Sequence, residues 1–163
     1  MRQNIKFDFW NSNQVKYESI QQKKINTIYE NLGYVVDRSK NCKDFDLTLD
    51  NGFMVETYEE KFRAENTERW KDFGVEILQD ILTKNLGWFY TTKADYIIQV
   101  HQDEQKNNCV YFVKWSMFKT WFQHNYKSVN TDLKQCKTGF GFTLNIYIKW
   151  EQLPKHIYER IEI

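Results

Sequence analysis

The chain has 163 residues, of which 41% are hydrophobic, 17% aromatic and 28% charged, with only six glycines and one proline. This composition supplies enough apolar side chains for a packed core and excludes collagen-like, low-complexity and wholly disordered chains. The formal net charge of +1 argues against strong non-specific DNA binding. No run approaches the ~18 apolar residues that cross a bilayer. We predict one domain, with a core over about residues 12–100 and a C-terminal extension over 101–163.

The first predicted element is a helix that begins at a cap on Asn11 or Ser12, runs to about Leu32 and stops at Gly33. Its apolar residues recur at helical spacing, and Glu18 falls on or beside that stripe. A buried carboxylate is costly without a partner. Two interpretations of Glu18 stay open: a side chain at the stripe edge that reaches water, or a ligand for a metal or water in a cleft.

A β-hairpin is the clearest local pattern. After a short strand at Tyr34–Arg38, polar and apolar residues alternate over 44–50, and Asn51-Gly52 is typical of a two-residue turn before a return strand over 53–62. That turn pairs Asp46 with Thr57. Because side chains alternate between the two faces of a strand, one face carries a polar set: Asp44, Asp46, Thr57, Glu59 and Lys61.

The order of predicted elements over residues 12–100 is α-β-β-β-α-β, which predicts an α/β or α+β fold around a mixed sheet. The later elements, in chain order, are a helix from Asn66 or Thr67 to before Gly87 with its apolar stripe at Trp70, Phe73, Ile77, Leu78 and Ile81, strands at Ala94–Val100 and Cys109–Val113, a helix from Ser116 to about Tyr126, and a strand at Phe142–Trp150.

Acidic residues concentrate on this hairpin and just beyond it. Residues 44–80 hold eleven acidic against four basic residues, whereas the segment on either side is net basic. Carboxylates as close as Asp46 and Glu59 repel each other unless a cation neutralises them, and their oxygens suit Mg²⁺ or Mn²⁺. Lys61 can orient or deprotonate a water, or stabilise charge on a phosphate. The pattern favours metal-assisted phosphodiester hydrolysis, with a merely solvent-exposed acidic hairpin as the alternative.

The element order, together with Asp46 and the run Glu59-Glu60-Lys61, resembles the PD-(D/E)xK nuclease superfamily, which includes restriction endonucleases, Holliday-junction resolvases and RecB-type exonuclease domains. The resemblance covers slightly more than half the chain. It implies a restriction endonuclease-like αβββαβ core, with a mixed central sheet flanked by helices. One departure is Phe45, which stands where the family places a proline before its aspartate.

The resemblance also implies roles for particular residues. Asp46, Glu59 and Lys61 take the catalytic positions, and Asp46, Glu59 and Glu18 the metal positions, the last as in resolvase-like members. The secondary candidates are Asp44, which competes with Asp46 for the first metal ligand, and Gln79, which matches a glutamine on the helix that follows the lysine in RecB-like members. Those members place a tyrosine four residues later, where this chain has Thr83.

Nucleic acid is the substrate that the resemblance implies, DNA first and RNA as the alternative. Lysines that would contact its phosphates are Lys23, Lys24, Lys43 and Lys119. A homodimer is expected if the target is duplex DNA, because two cuts need two sites. The alternative function is a non-catalytic module of the same fold that binds nucleic acid or protein.

The three cysteines are odd in number and widely spaced, which predicts neither a disulfide framework nor a cysteine zinc site. With no signal-peptide pattern at the N-terminus, we expect a cytoplasmic protein. Lysine outnumbers arginine 18 to 5, a bias typical of an A/T-rich coding genome such as that of a phage or a low-GC bacterium.

Overall fold

The computed structural model describes residues 13–39, 44–63, 67–137 and 141–162, with side chains from residue 16 onward. The expected helix caps at Asn11 and Ser12 lie outside these ranges. In chain order the elements are α1 Asn13–Asn31, β1 Val35–Asp37, β2 Leu47–Asp50, β3 Val55–Phe62, β4 Asp72–Asp80, β5 Asn85–Leu86, α2 Trp88–Thr91, β6 Tyr96–Gln102, β7 Asn108–Lys114, α3 Trp115–Asn125, β8 Thr131–Lys137, β9 Phe142–Lys149 and β10 Tyr158–Glu162.

The strands form two sheets. The larger has the order β1-β2-β3-β6-β7-β10, and the smaller, fully antiparallel sheet has the order β5-β4-β9-β8. Within the larger sheet, β3 and β6 run parallel while the other described neighbours run antiparallel. The fold is therefore mixed α/β with a mixed central sheet, as expected, but it is built largely of strands. None of the described helices is long and apolar enough to cross a membrane.

Helix α1 ends where the sequence predicts. Gly33 adopts φ +88°, and the Tyr34 N–H donates to the carbonyl of Tyr29 at 3.0 Å. Glycine accepts this left-handed backbone without a Cβ penalty. The hydrogen bond from Tyr34 back to Tyr29, five residues earlier, closes the last turn of the helix. The chain then reverses directly into β1.

The β2–β3 hairpin forms, but its register differs from the predicted one. Leu47 pairs with Tyr58 and Asp50 with Val55, so the connection is four residues long. The Asn51 side chain explains the longer turn, because its oxygen accepts hydrogen bonds from the backbone N–H groups of Phe53 (3.0 Å) and Met54 (3.1 Å). A shift of two residues leaves every side chain on its predicted face.

The helix predicted between residues 66 and 87 is wrong. A 3₁₀ turn at Glu68–Trp70 leads into β4, which is followed by β5 and the short α2. Phe73, Val75 and Ile77 also fit a period of two, and β-branched residues beside Gly74 favour a strand over a helix. Pairing of β4 with β9 decides between the two patterns, and β9 lies far along the chain.

The two faces of the larger sheet are covered differently. Helix α1 packs on one face, where Ile25 and Tyr29 contact Leu47 and Ile98. The second face carries Ile97 and is covered by the smaller sheet and α3. A second sheet therefore occupies the position in which the resemblance implies a flanking helix. Strands β9 and β10, beyond residue 100, complete the two sheets.

His101 is buried between the two sheets. Its ring packs edge-on against Tyr111, with centroids 5.4 Å apart, and lies 6.3 Å from Trp150. Burial first and the charge of Arg63 second lower its pKa to about 3, against an opposing backbone hydrogen bond with Thr67. The folded protein therefore keeps this imidazole neutral at pH values where the unfolded chain protonates it.

We expect the free energy of unfolding to fall as the pH drops below about 6.5, because the unfolded state then binds a proton that the folded state excludes. The loss from His101 approaches about 1.4 kcal/mol per pH unit until its folded pKa is reached. His101→Leu should remove this loss. Urea denaturation of both proteins between pH 7 and pH 4 measures it, and parallel curves would show that His101 is not buried in its neutral form.

Candidate functional site

Strand β3 holds Glu59 and Lys61 on the face that turns toward the smaller sheet. Their side chains form an ion pair between Lys61 Nζ and Glu59 Oε1. Glu59 is buried, whereas the Lys61 side chain remains 31% exposed. The lysine therefore lies between a buried acid and solvent, where an incoming anion can reach it.

Asp46 joins this pair from the start of β2. Its backbone N–H donates to the Tyr58 carbonyl at 2.9 Å, and its Oδ2 accepts from the Glu60 N–H at 2.8 Å. Its charge also contributes to the raised pKa of Glu59. The structure thus brings together the three residues predicted as catalytic, on one face of the hairpin.

Burial dominates the electrostatics of Glu59. Desolvation raises the pKa of this carboxyl, Lys61 lowers it, and Asp46 raises it again, with a net upward shift. Thr92 Oγ1 donates to Glu59 Oε2 at 3.3 Å and favours the ionised form. A second positive charge near Asp46 and Glu59 would stabilise both carboxylates in their ionised state.

Glu60, the next residue on β3, faces α1 and hydrogen-bonds to side chains there. Its carboxylate accepts from Arg38 Nη1 at 2.6 Å and from the Tyr29 hydroxyl at 3.1 Å. Arg38 is held in turn by Asn26, which accepts at 2.6 Å and 3.0 Å. Glu60 is therefore fully engaged on the other side of the sheet from Glu59.

Glu76 on β4 is a further acidic residue at this site, and sequence reasoning missed it. Burial raises its pKa, while Lys61 and the Trp88 backbone N–H lower it and Glu59 raises it, so Glu76 senses both members of the ion pair. The Trp88 ring also lies 5.7 Å from Lys61 Nζ. A strand interpretation of Phe73–Ile77 would have singled out Glu76 as the charged residue inside an apolar alternation.

Two of the other predicted residues lie apart from the ion pair. Glu18 is half-buried on α1, which covers the face opposite to Glu59. Gln79 is exposed near the end of β4, a strand and not the expected helix. Their proposed roles as metal ligand and secondary site residue stay predictions.

Asp44 lies closer to the site than those two. Its carboxylate accepts from Lys93 Nζ at 2.9 Å in an exposed pair. Its carbonyl lies 3.0 Å from Thr92 Oγ1, so this carbonyl and Glu59 Oε2 share the single hydroxyl proton of Thr92. Because Thr92 also contacts Glu59, Asp44 is linked to the site through a single threonine. Among the lysines expected to contact nucleic acid, Lys23, Lys24 and Lys119 are exposed, and Lys43 lies outside the described residues.

A metal at this site would have to be one that needs few protein ligands. Within residues 13–39, 44–63, 67–137 and 141–162, no group of three or more His, Cys, Asp or Glu side chains is arranged to hold a metal. Mg²⁺, however, is usually held by one or two carboxylates, with waters and substrate phosphate completing its shell. Asp46 and Glu59 supply such a pair.

No protein-family model matches this chain, and no curated protein or solved structure matches it either.

Proposed function

We propose that this protein is a metal-dependent nuclease that hydrolyses phosphodiester bonds of DNA. The observation that carries the proposal is the convergence of the Asp46 carboxylate with the Glu59–Lys61 ion pair at one end of the β2–β3 hairpin. Two carboxylates and an ammonium close to one another are the groups that metal-assisted hydrolysis of a phosphodiester requires.

Each of the three residues has a distinct task in this mechanism. Asp46 and Glu59 would hold Mg²⁺ or Mn²⁺, which when bound polarises a phosphate oxygen and lowers the pKa of a bound water. Lys61, at the exposed edge of the pair, orients the attacking water and stabilises negative charge that develops on the phosphate. Thr92 fixes the Glu59 carboxylate through its hydroxyl group.

We further propose that the chain is a divergent PD-(D/E)xK nuclease. In support, β1, β2 and β3 are antiparallel neighbours, β3 runs parallel to β6, and Glu59 and Lys61 stand two residues apart on β3. The chain departs from the usual family pattern in the connection from β3 to β6, which contains β4, β5 and α2 in place of one long helix.

The test is cleavage of plasmid DNA and of labelled oligonucleotides by the purified protein. We expect cutting with Mg²⁺ or Mn²⁺ and none with EDTA. An RNA of the same sequence, assayed in parallel, decides between DNA and RNA. If none of these substrates is cut with Mg²⁺ or with Mn²⁺, the proposal is wrong.

A non-catalytic binding module is the second candidate. It is favoured by the engagement of both Glu59 oxygens, one by Lys61 and the other by Thr92, which also suits a purely structural ion pair. Calorimetric titration with Mg²⁺ separates the two functions. A nuclease takes up the ion and loses that uptake in Asp46→Asn, whereas a structural ion pair takes up none.

A further inference from the structure

A cleft of about 610 Å³ opens on the α1 side of the larger sheet, over the part of that face that α1 does not cover. Its wall contains Tyr58 and Tyr96, whose rings stack with centroids 5.1 Å apart, and Phe112, which meets Tyr58 edge-on at 6.4 Å. The rings of Tyr34, Tyr96, Phe112 and Tyr158 are only partly buried. Planar ligands can therefore reach aromatic surface inside this cleft.

A second cleft, also of about 610 Å³, adjoins the first and shares Glu56, Tyr96 and Lys114 with it. Its rim carries Lys93 and Lys119, and Lys119 Nζ lies 5.4 Å from the centroid of the Trp115 ring. We call the two clefts together the lysine–tyrosine groove. Aromatic rings line one end of the groove, and lysines line the other.

The side chains of this groove carry a small excess of positive charge. Its lining has four lysines against three carboxylates. Neutral donors hold two of the carboxylates in place, because Glu56 accepts from the Tyr58 hydroxyl at 2.7 Å and Asp95 accepts from Thr57 N and Oγ1 at 2.9 and 2.8 Å. Lys93 is paired with Asp44. Lys114 and Lys119, by contrast, form no ion pair within the described part of the chain.

The lysine end of the groove reaches the candidate site. Lys93 binds the Asp44 carboxylate, and its neighbour Thr92 contacts both the Asp44 carbonyl and Glu59 Oε2. A chain lying along the groove is therefore led from the aromatic end, past the lysines, toward Glu59 and Lys61.

We propose that the lysine–tyrosine groove binds a single strand of nucleic acid and delivers it to the Glu59–Lys61 site. The inference rests on the proposed function for the cleavage step but not for binding. Single-strand binding surfaces combine a basic groove that follows the phosphates with aromatic rings on which bases stack. In a duplex the base faces are already stacked within the helix, so only unpaired bases can lie against Tyr34, Tyr96 or Phe112.

The test is fluorescence anisotropy with a labelled oligonucleotide of about twelve nucleotides, within the usual site size, in EDTA so that binding is measured without cleavage. We expect the single strand to bind at least about tenfold more tightly than the duplex of the same sequence, and Tyr96→Leu to weaken single-strand binding about tenfold. The double variant Lys114→Gln/Lys119→Gln should reduce the slope of log Kd against log salt by about 1.4, since each lysine contributes about 0.7.

The matched control is Lys134→Gln/Lys137→Gln, which removes two exposed lysines from β8 on the smaller sheet. It should leave the affinity and the salt slope unchanged. Circular dichroism verifies that each variant is folded. Equal affinity for duplex and single strand, equal effects of groove and control variants, or no oligonucleotide binding at low salt would each overturn the inference, and the last would reassign the groove to a protein ligand.

The two proposals can fail separately. If the protein binds a single strand through the groove but cuts nothing in Mg²⁺, the nuclease proposal is wrong and the groove assignment is kept. If the protein cuts DNA but the groove variants do not change its single-strand binding, the groove assignment is wrong and the nuclease proposal is kept.

Discussion

Lys61→Met is expected to lower Mg²⁺-dependent cleavage by about 10²–10³-fold, the range found when a preorganised donor to a developing negative charge is removed. Lys61 is the cation paired with Glu59, and its partial exposure lets it meet a phosphate. Methionine keeps much of the apolar stem while removing the charge. The measurement is the initial rate of oligonucleotide cleavage under saturating metal.

Glu59→Gln should cause a loss of similar size, because it removes a proposed metal ligand while preserving the shape of the side chain. If Glu59 and Lys61 act as a unit, the double variant is no slower than the slower single variant. The controls are Lys134→Met on β8 and Glu30→Gln on α1, both at exposed positions. Cleavage that survives Lys61→Met and Glu59→Gln at the control rate would exclude both residues from the mechanism.

Phe73→Ala is expected to lower the free energy of unfolding by about 3–5 kcal/mol, as for other buried phenylalanines truncated to alanine. Phe73 is fully buried and packs edge-on against Phe118, with centroids 4.9 Å apart. Its ring also lies tilted against that of Trp150, with centroids 5.2 Å apart. Alanine leaves a cavity between the two sheets, because rings anchored on separate elements cannot all move to fill it. Chemical denaturation followed by tryptophan fluorescence measures the change.

Phe53→Ala is the matched control, since Phe53 is 97% exposed in the β2–β3 connection. Its effect on stability should stay within about 0.5 kcal/mol. A loss at Phe73 no larger than that at Phe53 would show that Phe73 is not buried between the two sheets.

Local chemistry made much of the fold predictable. Gly33 marks the end of α1, the β-branched runs mark β6 and β7, and the alternation around Asp46 and Glu59 marks the hairpin. The hairpin register was missed because a side chain, that of Asn51, sets the loop length. The predicted co-facial arrangement of the site residues survived because the error was an even number of residues.

Distant pairing explains what the sequence left hidden. The segment around Phe73 satisfies both a helical and a strand period, and only its pairing with β9 selects the strand. Glu76 escaped notice for that reason, since a charged residue on an assumed helix is unremarkable. Strand β8 was missed because it is an edge strand whose leucine, Leu133, is exposed, so its sequence lacks a buried apolar face.

The pairing of β4 with β9 has a consequence for how the protein matures during synthesis. Asp72 pairs with Lys149, so the smaller sheet cannot be completed until β9 has left the ribosome. Contacts of such long sequence separation also slow folding. The Glu59 face of the larger sheet therefore stays uncovered by the smaller sheet on a nascent chain until β9 has been synthesised.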